Sequence, residues 1–431
     1  PIICLTLIAV GVTFGDLAPG RSLHEGGPSI AILSSSDSSF GVYYKEILQT
    51  EGYRSFEKIE IASIEPKTLA GIQLAILADT PVSSRHAEML ADWVSAGGQL
   101  IAMAPSDSLS DLLGLKALGR EIEGGYLTVE PGQLAADEPL TLQFHGTARL
   151  SDLDGAKALS VLHSDISGPR VHPAITVNSV GPHGGRASSF AFDLATSTVL
   201  SRQGNPAWID QDRDGRAPTR SNDLFFGASV TDPAPDWVDP GLRWIPQADE
   251  LISLFTRLVV EMTQEVPLPR FWYFPHGHRA VVVLTGDDHT YGDPEAVLDR
   301  LLKLASPDCS VADWECIGMT LYLMPGSRVT EPVAIQLERR GFEFSLHADT
   351  QCKAFSGESL RRAMERGLDA FSSKYPQISK PATLRNHCVP WSGWITGPVA
   401  GLEYGFRLDA NYYFWPPDWV SDTPGHFTGS A

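Results

Sequence analysis

Three short stretches hold the groups best suited to chemistry: Thr285-Gly286-Asp287-Asp288-His289, the run from Phe342 that ends in His347-Ala348-Asp349, and Thr383-Leu384-Arg385-Asn386-His387-Cys388. Each closes or follows an apolar run that reads as a β-strand. In parallel α/β architectures the carboxyl ends of strands are where ligands gather. Two adjacent carboxylates are costly to hold together unless a cation or a shared proton offsets their repulsion. Asp, His and His at successive strand ends form the mixed donor set that binds a divalent, zinc-like ion and leaves water a place. On this reading Asp288, His347 and His387 are the metal ligands. His289 and Asp349 are candidates for ligating or supporting roles, and Trp391, Trp394, Tyr412 and Tyr413 for an apolar wall against a sugar face. Taken singly, each has an ordinary reading as a cap, a solvated turn or core packing; their coincidence in one region favours a site.

At these residues the chain resembles the NodB-homology polysaccharide deacetylases, whose first motif is matched by Thr285-Gly286-Asp287-Asp288. The resemblance implies that Asp287 is the catalytic base, Asp288 a metal ligand, and Arg385 the arginine that steadies the base. His347 matches the first histidine of the family's HxxxH motif, but Gln351 stands at the second. His387, two residues after Arg385, is the residue we expect to replace the lost ligand. The resemblance covers about 150 residues. It implies a deacetylase-type β/α barrel over 270–431 whose closing motifs lie beyond Ala431.

The elements that must position these groups follow from periodicity. Ala280–Leu284, Met319–Leu323, Phe342–Leu346, Ala382–Leu384 and Phe406–Leu408 read as strands, with helices over Val333–Arg340 and Ser359–Ser373 and one ending at Leu304. Asp293-Pro294-Glu295 supplies an N-cap with Pro in the first turn of that last helix. Nearer the N-terminus, Ser29–Leu33, Leu74–Leu77 and Leu100–Met103 read as buried strands between helices Tyr43–Glu51 and His86–Ser95, the second stopped by Gly97-Gly98. Strand–helix alternation of this kind implies a parallel sheet covered on both faces. The stretch LAGIQLAILADTPVSSRHAEMLADWVSAGGQLIAMAP resembles the ThuA-like, class I glutamine-amidotransferase-like fold. Catalytic members of that superfamily carry a strand-to-helix cysteine, which is missing here, so residues 28–120 are expected to be a flavodoxin-like structural or ligand-binding domain.

Residues 121–265 read as a β-rich extension closed by a helix over Ala248–Met262, with no long helical period between Glu121 and Leu200. Asp210, Asp212 and Asp214, followed by Gly215, open like an EF-hand-type loop and make a candidate calcium site. The closing Glu is absent, since the twelfth position is Ser221.

The 431 residues carry 33 Lys+Arg against 52 Asp+Glu, a formal net charge of −19, with no Lys/Arg run. That pattern argues against nucleic acid as a partner. The apolar run Ile2–Val12 is too short to span a bilayer and suits the remnant of a secretory signal over residues 1–22. Removing Cys4 with it leaves Cys309, Cys316, Cys352 and Cys388, an even number that fits two disulfides in an exported protein. The expected function is a secreted or periplasmic, zinc-dependent hydrolase of N-acetyl groups on a polysaccharide. Two alternatives stay open: a carbohydrate-binding or scaffold protein with a lapsed site, and a metal hydrolase of another amide or a glycosidic bond.

Overall fold

The computed structural model describes residues 29–134, 137–169, 171–227, 236–242, 245–264, 267–271, 274, 277–278, 281–289 and 294–413. The expected signal remnant, Cys4, Ala280, Asp293 and everything after Tyr413 lie outside this set.

The first unit contains β1 (Ile30–Ser34), α1 (Tyr43–Thr50), β2 (Phe56–Glu60), β3 (Leu74–Leu77), α2 (Ser84–Ser95), β4 (Gln99–Met103), α3 (Ser110–Leu113), β5 (Leu115–Val129), β6 (Leu140–Leu153), β7 (Lys157–His163), β8 (His172–Val180), β9 (Gly185–Phe190), α4 (Leu194–Gln203) and α5 (Gln247–Met262). Its strands form one nine-stranded sheet in the order β2-β1-β3-β4-β9-β8-β7-β5-β6. β2, β1, β3, β4 and β9 run parallel. The pairs from β9 outward through β8, β7, β5 and β6 are antiparallel.

Alternate residues of the central strands feed two cores. Ile30, Ile32, Ile76 and Met103 pack with Tyr44, Leu48 and the α5 residues Leu251, Phe255 and Leu258. Ala31, Leu33, Leu77 and Ala102 pack with Leu90, Trp93 and Val94 of α2 on the other face. Burial on both faces is why these strands read as continuous apolar runs. A Cβ on Gly185, at the start of β9, would sit 1.7 Å from the Val94 carbonyl oxygen, so only glycine lets α2 close onto the sheet there.

The observed topology sharpens the expected layout in two places. The boundary near residue 120 falls inside β5, and β9, from the expected β-rich extension, continues the parallel set beside β4. The two segments therefore share one sheet. The helix α4 also occupies the end of a stretch read as strands only. Asp193 accepts from Thr196 N at 2.9 Å and supplies the N-cap that periodicity did not reveal.

The second unit contains β10 (Thr285–Asp287), α6 (Pro294–Leu304), β11 (Thr320–Leu323), α7 (Glu331–Glu338), β12 (Glu343–Ala348), α8 (Gly357–Lys374), β13 (Thr383–Asn386), α9 (Thr396–Glu403) and β14 (Leu408–Asp409). The five strands lie in sequence order, all parallel. One expectation is corrected. Of the anticipated strand Ala280–Leu284, the described residues 281–284 lie outside regular structure, with Val282 82% and Val283 69% exposed. The ladder starts only at Thr285, opposite Thr320, whose N–H donates to the Leu284 carbonyl at 2.9 Å.

The units meet through a buried cluster of Leu224, Phe225, Phe226, Val238 and Trp391. Hydrogen bonds from Tyr412 Oη to the Gln203 carbonyl (2.6 Å) and from Tyr413 Oη to Asn222 Oδ1 (2.9 Å) tie the C-terminal segment to the first unit.

Candidate metal centre

The carboxyl ends of β10, β12 and β13 bring three imidazoles together. One nitrogen from each of His289, His347 and His387 lies within 4.8 Å of the other two. His347 is the buried member, 1% exposed on β12. Its Nδ1 lies 3.1 Å from the Arg385 carbonyl oxygen, which can only accept, so Nδ1 carries the proton and Nε2 keeps its lone pair. That Nε2 is 3.3 Å from His387 Nδ1. Two nitrogens on one tetrahedral ion with bonds of about 2.0–2.1 Å would stand ~3.3 Å apart. Donor type, tautomer and spacing therefore fit a zinc-like ion. Burial, reinforced by the neighbouring His289 and His387 and opposed by Asp287 and Asp288, pushes the His347 pKa down to about 4. The imidazole is neutral at physiological pH, as a ligand must be.

The structure groups the strand-end residues differently from the expected set. Asp288 does not join the convergent group; His289 does. The Asp288 carboxylate is buried, with Oδ2 accepting from Met324 N at 3.1 Å and Oδ1 3.4 Å from His289 Nδ1. It thus stands behind His289, in the position of an acceptor that orients a ligating histidine. The backbone of Asp288 is itself held to the Tyr322 carbonyl at 3.2 Å.

Asp287 and Arg385 form an ion pair. Arg385 Nη1 donates to Asp287 Oδ1 at 3.2 Å, Nη2 to Thr285 Oγ1 at 2.7 Å, and Nε to the Ala410 carbonyl at 3.3 Å. The guanidinium also lies 4.7 Å above the centre of the Tyr322 ring. Three bonds in different directions leave it one orientation. Asp287 Oδ1 is 3.9 Å from His347 Nδ1, so the carboxylate borders the histidine group while remaining partly open to solvent.

His387 is fixed through its backbone. Its N–H donates to the Ala348 carbonyl at 2.8 Å, and the preceding Asn386 N–H donates to Asn411 Oδ1 at 2.5 Å. The next residue is bridged by the Cys352–Cys388 disulfide, while Cys309–Cys316 closes a local loop. Gln351, Cys352, Cys388 and Val389 all hold positive φ, between 47° and 68°. Such conformations cost free energy in non-glycine residues and persist where the surroundings over-determine them. Gln351 is exposed on this turn, and the exposed Asp349 caps the turn by accepting from Gln351 N at 2.7 Å.

The aromatic candidates serve packing. Trp391 is 6% exposed, its ring 4.7 Å from that of Tyr412, and both, with Trp394, belong to the cluster between the units. Trp391 is buried in that core, while Trp394 and Tyr412 pack against it half-buried.

The acidic turn is also reassigned. Asp210 Oδ1 accepts from Gly393 N at 2.7 Å, outside any carboxylate group. The oxygens that do converge belong to Asp212, Asp214 and Asp223. Most of their capacity goes to backbone N–H groups. Asp212 and Asp214 accept from Arg216 N, and Asp223 accepts from the N–H groups of Arg213, Asp214 and Arg220. Burial pushes the Asp223 carboxyl up to about 6.

Two residues of the site escaped sequence reasoning. Asn411 positions Asn386, and the half-buried Asp409, its carboxyl pushed up by desolvation, accepts from Asn411 Nδ2 at 2.6 Å. Their signal was the run Leu408-Asp409-Ala410-Asn411 at the end of the last strand.

No family model matches the chain, and no curated protein matches it. Among solved structures, an exo-β-1,4-mannosidase from Opitutaceae bacterium strain TAV5 aligns at 17% identity over 40% of this chain and 32% of its own, with a TM-score of 0.30. A β-galactosidase from Rahnella sp. R3 aligns at 17% identity over 56% of this chain and 32% of its own, with a TM-score of 0.36. An α-L-fucosidase from Paenibacillus thiaminolyticus aligns at 14% identity over 39% and 29%, with a TM-score of 0.31. The chain spans about a third of the length of the first two. Likenesses this slight carry no argument about activity.

Proposed function

We propose that this protein is a metal-dependent hydrolase that removes N-acetyl groups from an extracellular or periplasmic polysaccharide. The observation that carries the reading is the convergence of His289, His347 and His387 beside the Asp287–Arg385 pair. A zinc-like ion held by the three imidazoles would supply Lewis acidity toward an amide carbonyl and toward water. The chain's own residues do the rest. Arg385 fixes the Asp287 carboxylate through one oxygen, leaving the other able to take a proton from an attacking water. Asp288 orients His289, and the Arg385 carbonyl orients His347. Arg385 therefore serves the base through its side chain and a ligand through its backbone. Two disulfides among the described residues support an oxidising, extracytoplasmic setting.

The test is acetate release from N-acetylglucosamine oligomers by zinc-loaded protein, with new reducing ends measured in parallel. Acetate without reducing ends, abolished by a chelator and restored by zinc, is expected. Reducing ends without acetate would assign a glycosidic bond and overturn the proposal.

A further inference from the structure

Apart from the histidine centre, a groove of about 530 Å³ opens along the outer side of α5 in the first unit. Four of its eleven lining residues are Lys or Arg, in a chain where only 33 of 431 are. They come from four places: Lys157 opens β7, Arg186 lies on β9, Arg257 on α5, and Arg270 in the segment after it. No run of basic sequence marks them; the sheet and the helix assemble them.

Their partners decide how much charge faces the groove. Arg270 is neutralised by Glu51 at 2.5 Å. Arg186 is fixed by the α5 carbonyls of Glu261 (2.8 Å) and Met262 (2.6 Å), and by Gln99 Oε1 at 3.2 Å. Arg257 Nη1 donates to the Leu134 carbonyl at 3.3 Å, and among the described residues neither Arg257 nor Lys157 forms an ion pair. Glu261 is the one acid in the lining. Against Glu51 and Glu261, the four cations leave a formal surplus of two positive charges, in a protein whose net charge is −19. The volume falls in the range of small-molecule pockets and exceeds what an inorganic anion fills.

We propose that this groove binds a carboxylate-bearing sugar of an acidic glycan, as a subsite separate from the histidine centre. The choice of a glycan rests on the proposed function; the choice of an acid rests on the groove alone. Lys157 and Arg257 supply the free donors, Arg186 a rigid positive wall, and Gln133 and Gln264 neutral amides for hydroxyls.

Calorimetric titration of the full chain tests this without any turnover, using trigalacturonate, a neutral galactose trisaccharide of the same length, and inorganic phosphate. We expect trigalacturonate to bind at least tenfold more tightly than the neutral trimer, with affinity falling as salt rises. Lys157→Ala and Arg257→Gln should each weaken it about tenfold, the value of one charge-assisted hydrogen bond. Equal binding of both trimers, no binding, or unchanged affinity in both variants would overturn the proposal. Phosphate binding as tightly as trigalacturonate would overturn the glycan assignment. Failure of the deacetylase reading shows separately, as absent acetate release with trigalacturonate binding intact.

Discussion

Arg220 Nε donates to the Cys388 carbonyl oxygen at 3.1 Å, joining residues 168 apart in sequence. This bond reaches from the acidic turn of the first unit to the residue after His387. It is accompanied by Trp391 N to the Thr219 carbonyl at 2.9 Å and Gly393 N to Asp210 Oδ1 at 2.7 Å. The turn that resembled a calcium loop thus braces the loop of a candidate metal ligand. Replacing Arg220 by Met, which keeps the apolar stem, should weaken zinc binding by about tenfold, the low end for partners that orient a ligand. Competition with a chromogenic chelator measures this, and unchanged affinity would remove the bracing role.

Zinc stoichiometry separates the three-histidine set from the expected one. His289→Ala, His347→Ala and His387→Ala should each leave purified protein substoichiometric in zinc. Asp288→Asn should retain the metal with affinity lowered about 10–100-fold, and Gln351→Ala should behave as wild type. Full loading of His289→Ala together with complete loss in Asp288→Asn would restore Asp288 as the ligand.

Asp287→Asn keeps size and hydrogen bonding while deleting basicity. It should lower acetate release by about 100-fold or more, the usual worth of a general base, with zinc content unchanged. Retained activity would show that another group takes the proton.

The buried His347 makes the metal-free protein acid-sensitive. Its folded pKa of about 4 lies below the unfolded value of about 6.5. Below pH 6.5 the unfolded chain binds a proton that the folded chain refuses, so stability is full above that pH and lost as pH falls toward 4. The total is about 3 kcal/mol. Denaturant unfolding of the apo protein against its His347→Asn variant should show this slope in the first and lose it in the second. Parallel curves would refute the assignment.

The Cys352–Cys388 bridge spans 36 residues. In the chain-entropy account a loop of that length is worth about 4 kcal/mol. Cys352→Ser with Cys388→Ser should lower the unfolding free energy by that order and release the turn that follows His387. An unchanged melting temperature would mean that the packing of Trp391 and the bonds to Arg220, Thr219 and Asp210 hold the loop without the bridge.

Much of this was legible in sequence because it is local. The alternation of strands and helices follows from side-chain period, and Asp287, His347, Arg385 and His387 were recognisable because chemistry-bearing residues closed apolar runs. Tertiary structure decided the rest. Which of two adjacent residues, Asp288 or His289, joins the other histidines depends on the turn by which the chain leaves β10, a conformation no side-chain period encodes. The joining of two expected domains into one sheet rests on β4 pairing with β9, Gln99 opposite Arg186, a register no local period encodes. Trp391 and Tyr412 carry the same side chains whether they line a sugar site or a core; only the docking of the 205–226 segment against them made them core. The sequence alone therefore determined which groups are available at strand ends, and long-range packing determined which of them converge, because convergence depends on contacts between residues far apart in the chain.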